Sequence, residues 1–224
     1  MKIYFEEEYV KIKSYLAKMT NITTEMLENA ITALVNIDSD LAKNTIKLDN
    51  KVDYLENKID SICIKVLALY EPKAIDLRFV ITTLRIIVDI ERIADHCVGI
   101  ARETLNLIKY PPLKPYIDLP LMGEQAGYML KEAIDAFFSY DDENAINIIK
   151  QDKKIDDLYV QVVRELLTYV TNDATTISQI LSLMFIGKSL ERIGDYTKNV
   201  CEQVYFMSTG KMIRHRLKSR KDNE

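Results

Sequence analysis

Apolar residues in the first third of the chain recur every three or four positions. Phe5, Tyr9, Ile12, Leu16, Met19, Met26, Ala30 and Leu34 share one helical face, with Thr23 in phase between them. The spacing predicts one long amphipathic helix. Asp38-Ser39-Asp40 offers N-caps for a second. Its stripe is Leu41, Thr45, Leu48, Val52, Leu55, Ile59, Ile62, Val66 and Leu69, and Glu71-Pro72 stops it, because the residue before proline avoids helical backbone. A third helix is predicted from about Ala74 to Lys109, with a core seam of Leu77, Ile81, Leu84 and Val88 and then, in phase, Glu91 and Asp95. After a proline-rich stretch the pattern restarts. Met122, Ala126, Met129, Ala133 and Phe137 predict a shorter fourth helix. Asp141-Asp142 can cap a fifth, carrying Ala145, Ile148, Ile155, Leu158, Val162, Leu166 and Tyr169. A break over 172–176 precedes a sixth, which ends near Gly210.

The two runs of three helices look like copies. Asp49-x-x-Val52-Asp53 is matched by Asp152-x-x-Ile155-Asp156, and Ile90-Glu91-Arg92-Ile93-Ala94-Asp95 by Leu190-Glu191-Arg192-Ile193-Gly194-Asp195. The expected fold is therefore all-α: two tandem, pseudo-symmetric three-helix bundles. Residues 1–110 form the first, 111–120 the linker, 121–210 the second, and 211–224 a basic tail. Four of the 5 prolines (Pro111, Pro112, Pro115, Pro120) place the linker.

Composition narrows the function. Thirty Lys and Arg against 34 Asp and Glu leave a net charge of −4, so no global basic field invites nucleic acid. Cys63, Cys97 and Cys201 are odd in number and far apart, which suggests neither a disulfide framework nor a CxxC zinc site. No basic-then-apolar leader opens the chain, and the uncharged run from Ala174 to Gly187 is too short to span a bilayer. A cytoplasmic protein is expected. The basic tail (Lys211, Arg214, Arg216, Lys218, Arg220, Lys221) reads as a solvated end, with attraction to an anionic membrane as the alternative.

Most of the acids read as solvated faces, including the first-turn run Glu6-Glu7-Glu8. Four pairs do not. Glu91 and Asp95 lie in phase with the seam of the third helix, and Glu191 and Asp195 in phase with Ile177, Leu181 and Met184 of the sixth; like charges at i,i+4 oppose one another. An unpaired carboxylate in a core costs several kcal/mol, roughly, so something must neutralise them. Arg78, Arg92, Arg192 or Lys188 could do so as internal ion pairs. The sharper alternative is a cation. Asp49 and Asp53 facing Glu91 and Asp95 would set four carboxylates around one point; Asp152, Asp156, Glu191 and Asp195 would set four around another. Oxygen ligands favour Mg, Mn, Ca or ferric iron. His96 is an extra ligand or simply polar packing.

Asp76-Leu77-Arg78, the motif Asp89-Ile90-Glu91-Arg92-Ile93-Ala94-Asp95-His96, and the duplicated acid pairs together resemble the PhoU family, from Phe5 to about Val204. The resemblance implies a non-catalytic regulator of high-affinity phosphate uptake. It implies multinuclear iron or zinc clusters held by Asp49, Asp53, Glu91 and Asp95 and by Asp152, Asp156, Glu191 and Asp195. As partners it implies the ATPase of a phosphate ABC transporter and a phosphate-sensing histidine kinase, both restrained when phosphate is plentiful. Peripheral membrane association and a homodimer are expected. The second half departs from the pattern: Thr176-Ile177-Ser178 replaces Asp-Leu-Arg, Ser189 stands at the place of Asp89, and Tyr196 at that of His96. Its cluster should hold fewer ions or hold them more weakly. A carboxylate-bridged hydrolase or oxidase ranks second: neither histidine follows a glutamate by three, as a di-iron bundle requires, and phosphate loops and nucleophile motifs are absent. A metal-free helical scaffold is the third reading.

Overall fold

The computed structural model describes residues 5–172 and 176–213. Six helices follow one another: α1 (Glu6–Asn36), α2 (Ser39–Tyr70), α3 (Ile75–Leu107), α4 (Asp118–Ser139), α5 (Asp142–Asn172) and α6 (Ile177–Thr209), with no strand among the described residues. Local chemistry sets the ends. Asp38 caps α2, its Oδ1 accepting from the backbone N–H of Asp40 and Leu41 at 2.9 Å each. Asp141 Oδ1 accepts from the backbone N–H of Asn144 in the first turn of α5. Gly210 ends α6 in the left-handed region, φ 72°. The fourth helix starts earlier than its apolar stripe suggests. Pro120 sits in its first turn, where a missing N–H breaks no helical bond. The irregular connection is thus 108–117, and the Lys114–Glu165 ion pair ties it to α5.

The first three helices pack mutually, as do the last three. The halves then join through α3 against α6 and α1 against α4. Contacts from Arg78 to Met207, Arg85 to Gln203, His96 to Tyr196 and Gly99 to Ser189 run in opposite chain directions, so α3 and α6 cross antiparallel. His96 and Tyr196 occupy equivalent positions of the two copies, so the crossing lies at the pseudo-twofold relation between them.

One apolar core runs through both halves. Ile12, Leu16, Met19, Met26 and Ala30 of α1, and Met122, Ala126, Met129, Ala133 and Phe137 of α4, are all fully buried, as the periodicity requires. Phe79 of α3 stacks on Phe137 of α4, ring centroids 5.4 Å apart, and also meets Tyr9 at 4.6 Å. The expected seams of α3 and α6 are not the buried ones. On α3 the core residues are Phe79, Thr83, Ile86, Ile90, Ile93 and Cys97, whereas Leu77 and Val88 are exposed. On α6 they are Ile180, Leu183, Ile186, Leu190, Ile193 and Thr197, whereas Ile177 and Leu181 are exposed. Each of these helices touches three others and is apolar over a broad arc. A narrow stripe at the edge of that arc therefore shares the helical period without being its centre.

Because Phe79 and Phe137 belong to different halves, Phe79→Ala should destabilise both together. The expected loss is about 3–5 kcal/mol, read as a lower urea midpoint with one shared transition by circular dichroism.

Candidate metal centre

The 3.6-residue repeat sets Asp49 and Asp53 one turn apart on α2, and Glu91 and Asp95 one turn apart on α3. Adjacent packing of α2 and α3 brings the two pairs together. They lie beside the core rather than in it: Asp49 and Glu91 are half-buried, Asp53 and Asp95 exposed. Among the described residues no cation comes within 4 Å of any of these carboxylates. Arg78 is spent elsewhere, its Nε donating to the Met207 carbonyl oxygen at 2.8 Å. Arg92 lies over the Tyr196 ring at 5.6 Å. Protonation shows the consequence. Burial, then the charges of Asp95, Glu56, Asp53 and Asp49, push the Glu91 carboxyl up to about 7. Burial, then Asp53 and Asp95, raise Asp49 too, with Arg102 pulling the other way. Glu56 is raised by burial and by Asp53 and Asp60.

The second quartet has the same helical origin on α5 and α6, and burial raises its Asp152 and Asp156 carboxyls too, but here cationic side chains stand against the acids, with Lys198 pulling Asp152 back down. Asp152 is buried, and its Oδ2 accepts from Lys198 Nζ at 2.5 Å. The same ammonium donates to Asp195 Oδ1 at 2.9 Å. Lys188 Nζ lies 2.7 Å from Glu191 Oε1, and Arg192 Nη1 lies 3.2 Å from Asp195 Oδ2. Burial opposes the charge of Lys198, but its hydrogen bonds to Asp152 and Asp195 outweigh that and hold its pKa above the ordinary lysine value. Asp156 is exposed. Asp152 Oδ1 and Glu191 Oε2 are buried and without a hydrogen-bond donor. Gly194 explains the depth of Asp152: a Cβ there would meet Asp152 Oδ1 at 2.8 Å and Ile155 Cδ1 at 3.0 Å. The first copy carries Ala94 at that place, and its Asp49 is only half-buried.

The PhoU domain, as a family model, matches the chain twice, over residues 16–104 and 119–204. The chain belongs to the PhoU family. All eight carboxylates fall inside the two matched repeats. Relatives include the phosphate-specific transport system accessory protein PhoU of Escherichia coli strain K12, 36% identical over 211 residues, covering 94% of this chain and 88% of that one. The PhoU homolog of Pseudomonas putida is 34% identical over 212 residues, covering 94% and 83%. The crystal structure of PhoU from Pseudomonas aeruginosa superposes with a TM-score of 0.88 at 33% identity, over 92% of this chain and all of that one. The phosphate transport system regulatory protein PhoU from Streptococcus pneumoniae gives 0.86 at 29% identity, over 93% and 98%.

The two PhoU repeats thus differ in how they fit a metal. As placed, no three His, Cys, Asp or Glu side chains among the described residues converge on one point. In the first repeat the donor set is nonetheless right for a hard cation: four carboxylates, none held by a cationic side chain, two of them exposed enough to turn. In the second, lysines and an arginine already hold three of the four. His96 is half-buried against Tyr196, ring centroids 5.7 Å apart. Sequence reasoning named Lys188 and Arg192 as possible partners of these acids and missed Lys198, whose signal was its i+3 spacing from Asp195. It also read Glu8 as a dipole-facing surface acid, but Glu8 is buried and paired with Lys65 at 2.9 Å. The three cysteines are buried and unpaired. Residues 214–224 of the basic tail lie outside the described residues.

The raised Glu91 has a measurable consequence. A carboxyl whose folded pKa exceeds its ordinary value of 4.5 weighs against folding once ionised. That penalty is absent at pH values below the unfolded pKa and grows as pH rises toward about 7. Metal-free wild type should therefore lose stability over that window relative to Glu91→Gln. Urea unfolding of both proteins across the window reads the difference; parallel pH profiles would remove Glu91 from the repulsive cluster.

Proposed function

We propose that this chain is an accessory regulator of phosphate uptake that works by contact. It restrains a phosphate ABC transporter and its sensor kinase when phosphate is plentiful, binds metal through its first carboxylate quartet, and carries out no chemistry of its own. The observation that carries this reading is the extent of the likeness. Relatives named as phosphate-specific transport system accessory proteins match 94% of the chain at 34–36% identity, across both repeats. Action by docking is supported by the surface. Leu181 and Phe185 on α6 are 60% and 63% exposed, and with Ile177 they form an apolar stripe leading toward Glu191 and Asp195. Leu77 and Val88 begin the equivalent stripe on α3. Exposed apolar surface of this kind suits a protein partner. No helix among the described residues is long and apolar enough to cross a membrane; in this reading the chain reaches the membrane through that partner, on its cytoplasmic side. Iron or zinc is the metal proposed from the family, and self-association as a homodimer is part of the same reading.

Deleting the gene in its own host tests the regulation. Phosphate-starvation genes should then stay switched on in rich phosphate, and Leu181→Glu/Phe185→Glu should reproduce that loss of restraint with the fold intact by circular dichroism. Genes that remain repressed after deletion, in a host without a second copy, would refute the assignment. For the metal, chelation should lower the melting temperature, since a ligand bound only by the folded state stabilises it. In Asp49→Asn/Asp95→Asn the melting curve should no longer respond to chelator.

A further inference from the structure

The two quartets are duplicates in sequence and opposites in neutralisation. Lys198 Nζ sits between Asp152 of α5 and Asp195 of α6, 2.5 Å and 2.9 Å from their oxygens, where it bridges the two helices. Lys188 holds Glu191 at 2.7 Å, and Arg192 holds Asp195 at 3.2 Å. The equivalent positions of the first repeat are Val88, Arg92 and Val98. Both lysines are thus peculiar to the second repeat, and valine stands at each place in the first.

We infer that Lys198, supported by Lys188, replaces the metal of the second repeat with a tethered ammonium, so that this chain takes metal through its first repeat alone. The word "alone" rests on the reading of the first quartet as a metal site; the replacement itself does not. A hard cation at Asp152 and Asp195 would need the oxygens the ammonium already occupies, and would meet that positive charge within hydrogen-bond distance. Asp152 is 4% exposed and cannot stay buried and ionised without a partner. A lysine supplies that partner whatever the metal supply. Removal of Lys198 would leave both oxygens of Asp152 and Oδ1 of Asp195 without a cation. With Glu191 Oε2 already lacking a donor, the second quartet would then resemble the first. The second repeat is accordingly metal-independent scaffold, and only the first responds to the ion.

The test is a Mn2+ titration of the chelator-treated full chain, with free ion counted by electron paramagnetic resonance. Asp152→Asn/Asp195→Asn should leave the number of ions bound unchanged, and Asp49→Asn/Asp95→Asn should abolish binding. Lys188→Val/Lys198→Val gives the second repeat the residues of the first, and should add a second class of site. Circular dichroism checks that each variant is folded; if the double valine variant is not, Lys198→Met carries the same expectation. A drop in stoichiometry on mutating Asp152 and Asp195 overturns the inference. So does a lysine variant that is folded and gains no site. A wild type that binds no Mn2+ overturns instead the metal reading of the first quartet, and the gain of a site in the lysine variants still decides the replacement.

Discussion

Four carboxylates set one turn apart on neighbouring helices repel one another, and both repeats are shaped by how that repulsion is met. Helix geometry sets each pair one turn apart, and the packing of α2 on α3 and of α5 on α6 brings the pairs together. In the first repeat the charges are met by exposure and by a rise in carboxyl protonation, centred on Glu91. In the second they are met by cationic side chains, and the difference is visible in depth. Asp152 goes fully under because Lys198 goes with it and because Gly194 leaves room for its oxygen.

Long helices make such sites affordable. Each of the helices that carry acids is 31 to 33 residues long, so a few charged positions sit beside many fully buried apolar ones. The apolar burial holds the helices side by side, and the acids ride on that scaffold without having to stabilise it. The same length extends the apolar arc of α3 and α6 beyond what three neighbours can cover. Leu181 and Phe185 are the uncovered edge, continuous with the carboxylates along the helix.

The fold was almost wholly legible. Six helices, their order, the Asp38 cap, the stop at Glu71 and the glycine end of α6 follow from period and punctuation, and the duplication follows from two motifs at nearly constant separation. The seam of α3 was not, because Leu77, Val88 and Glu91 share a phase with each other and lie next to, rather than on, the line of Phe79, Ile86 and Ile90. Periodicity gives the presence of an apolar stripe and leaves its centre open when a helix is apolar over a wide arc. The grouping of the acids was legible, and so were Lys188 and Arg192 as partners; Lys198 was not. Lysines at i+3 from an acid are common on solvated helices, and only the burial of Asp152 distinguishes Lys198 from that background.

The stacked pair Phe79 and Phe137 has a thermodynamic meaning beyond packing. A core that passes without interruption from one repeat to the other makes the chain a single cooperative unit, despite its proline-rich connection. On the proposed metal reading, the free energy of an ion bound by the first repeat would therefore not be confined there. It would be shared by the helices of the second, whose exposed edge lies far along the sequence from the proposed binding residues. An ion taken up by one repeat would then resist the unfolding of both.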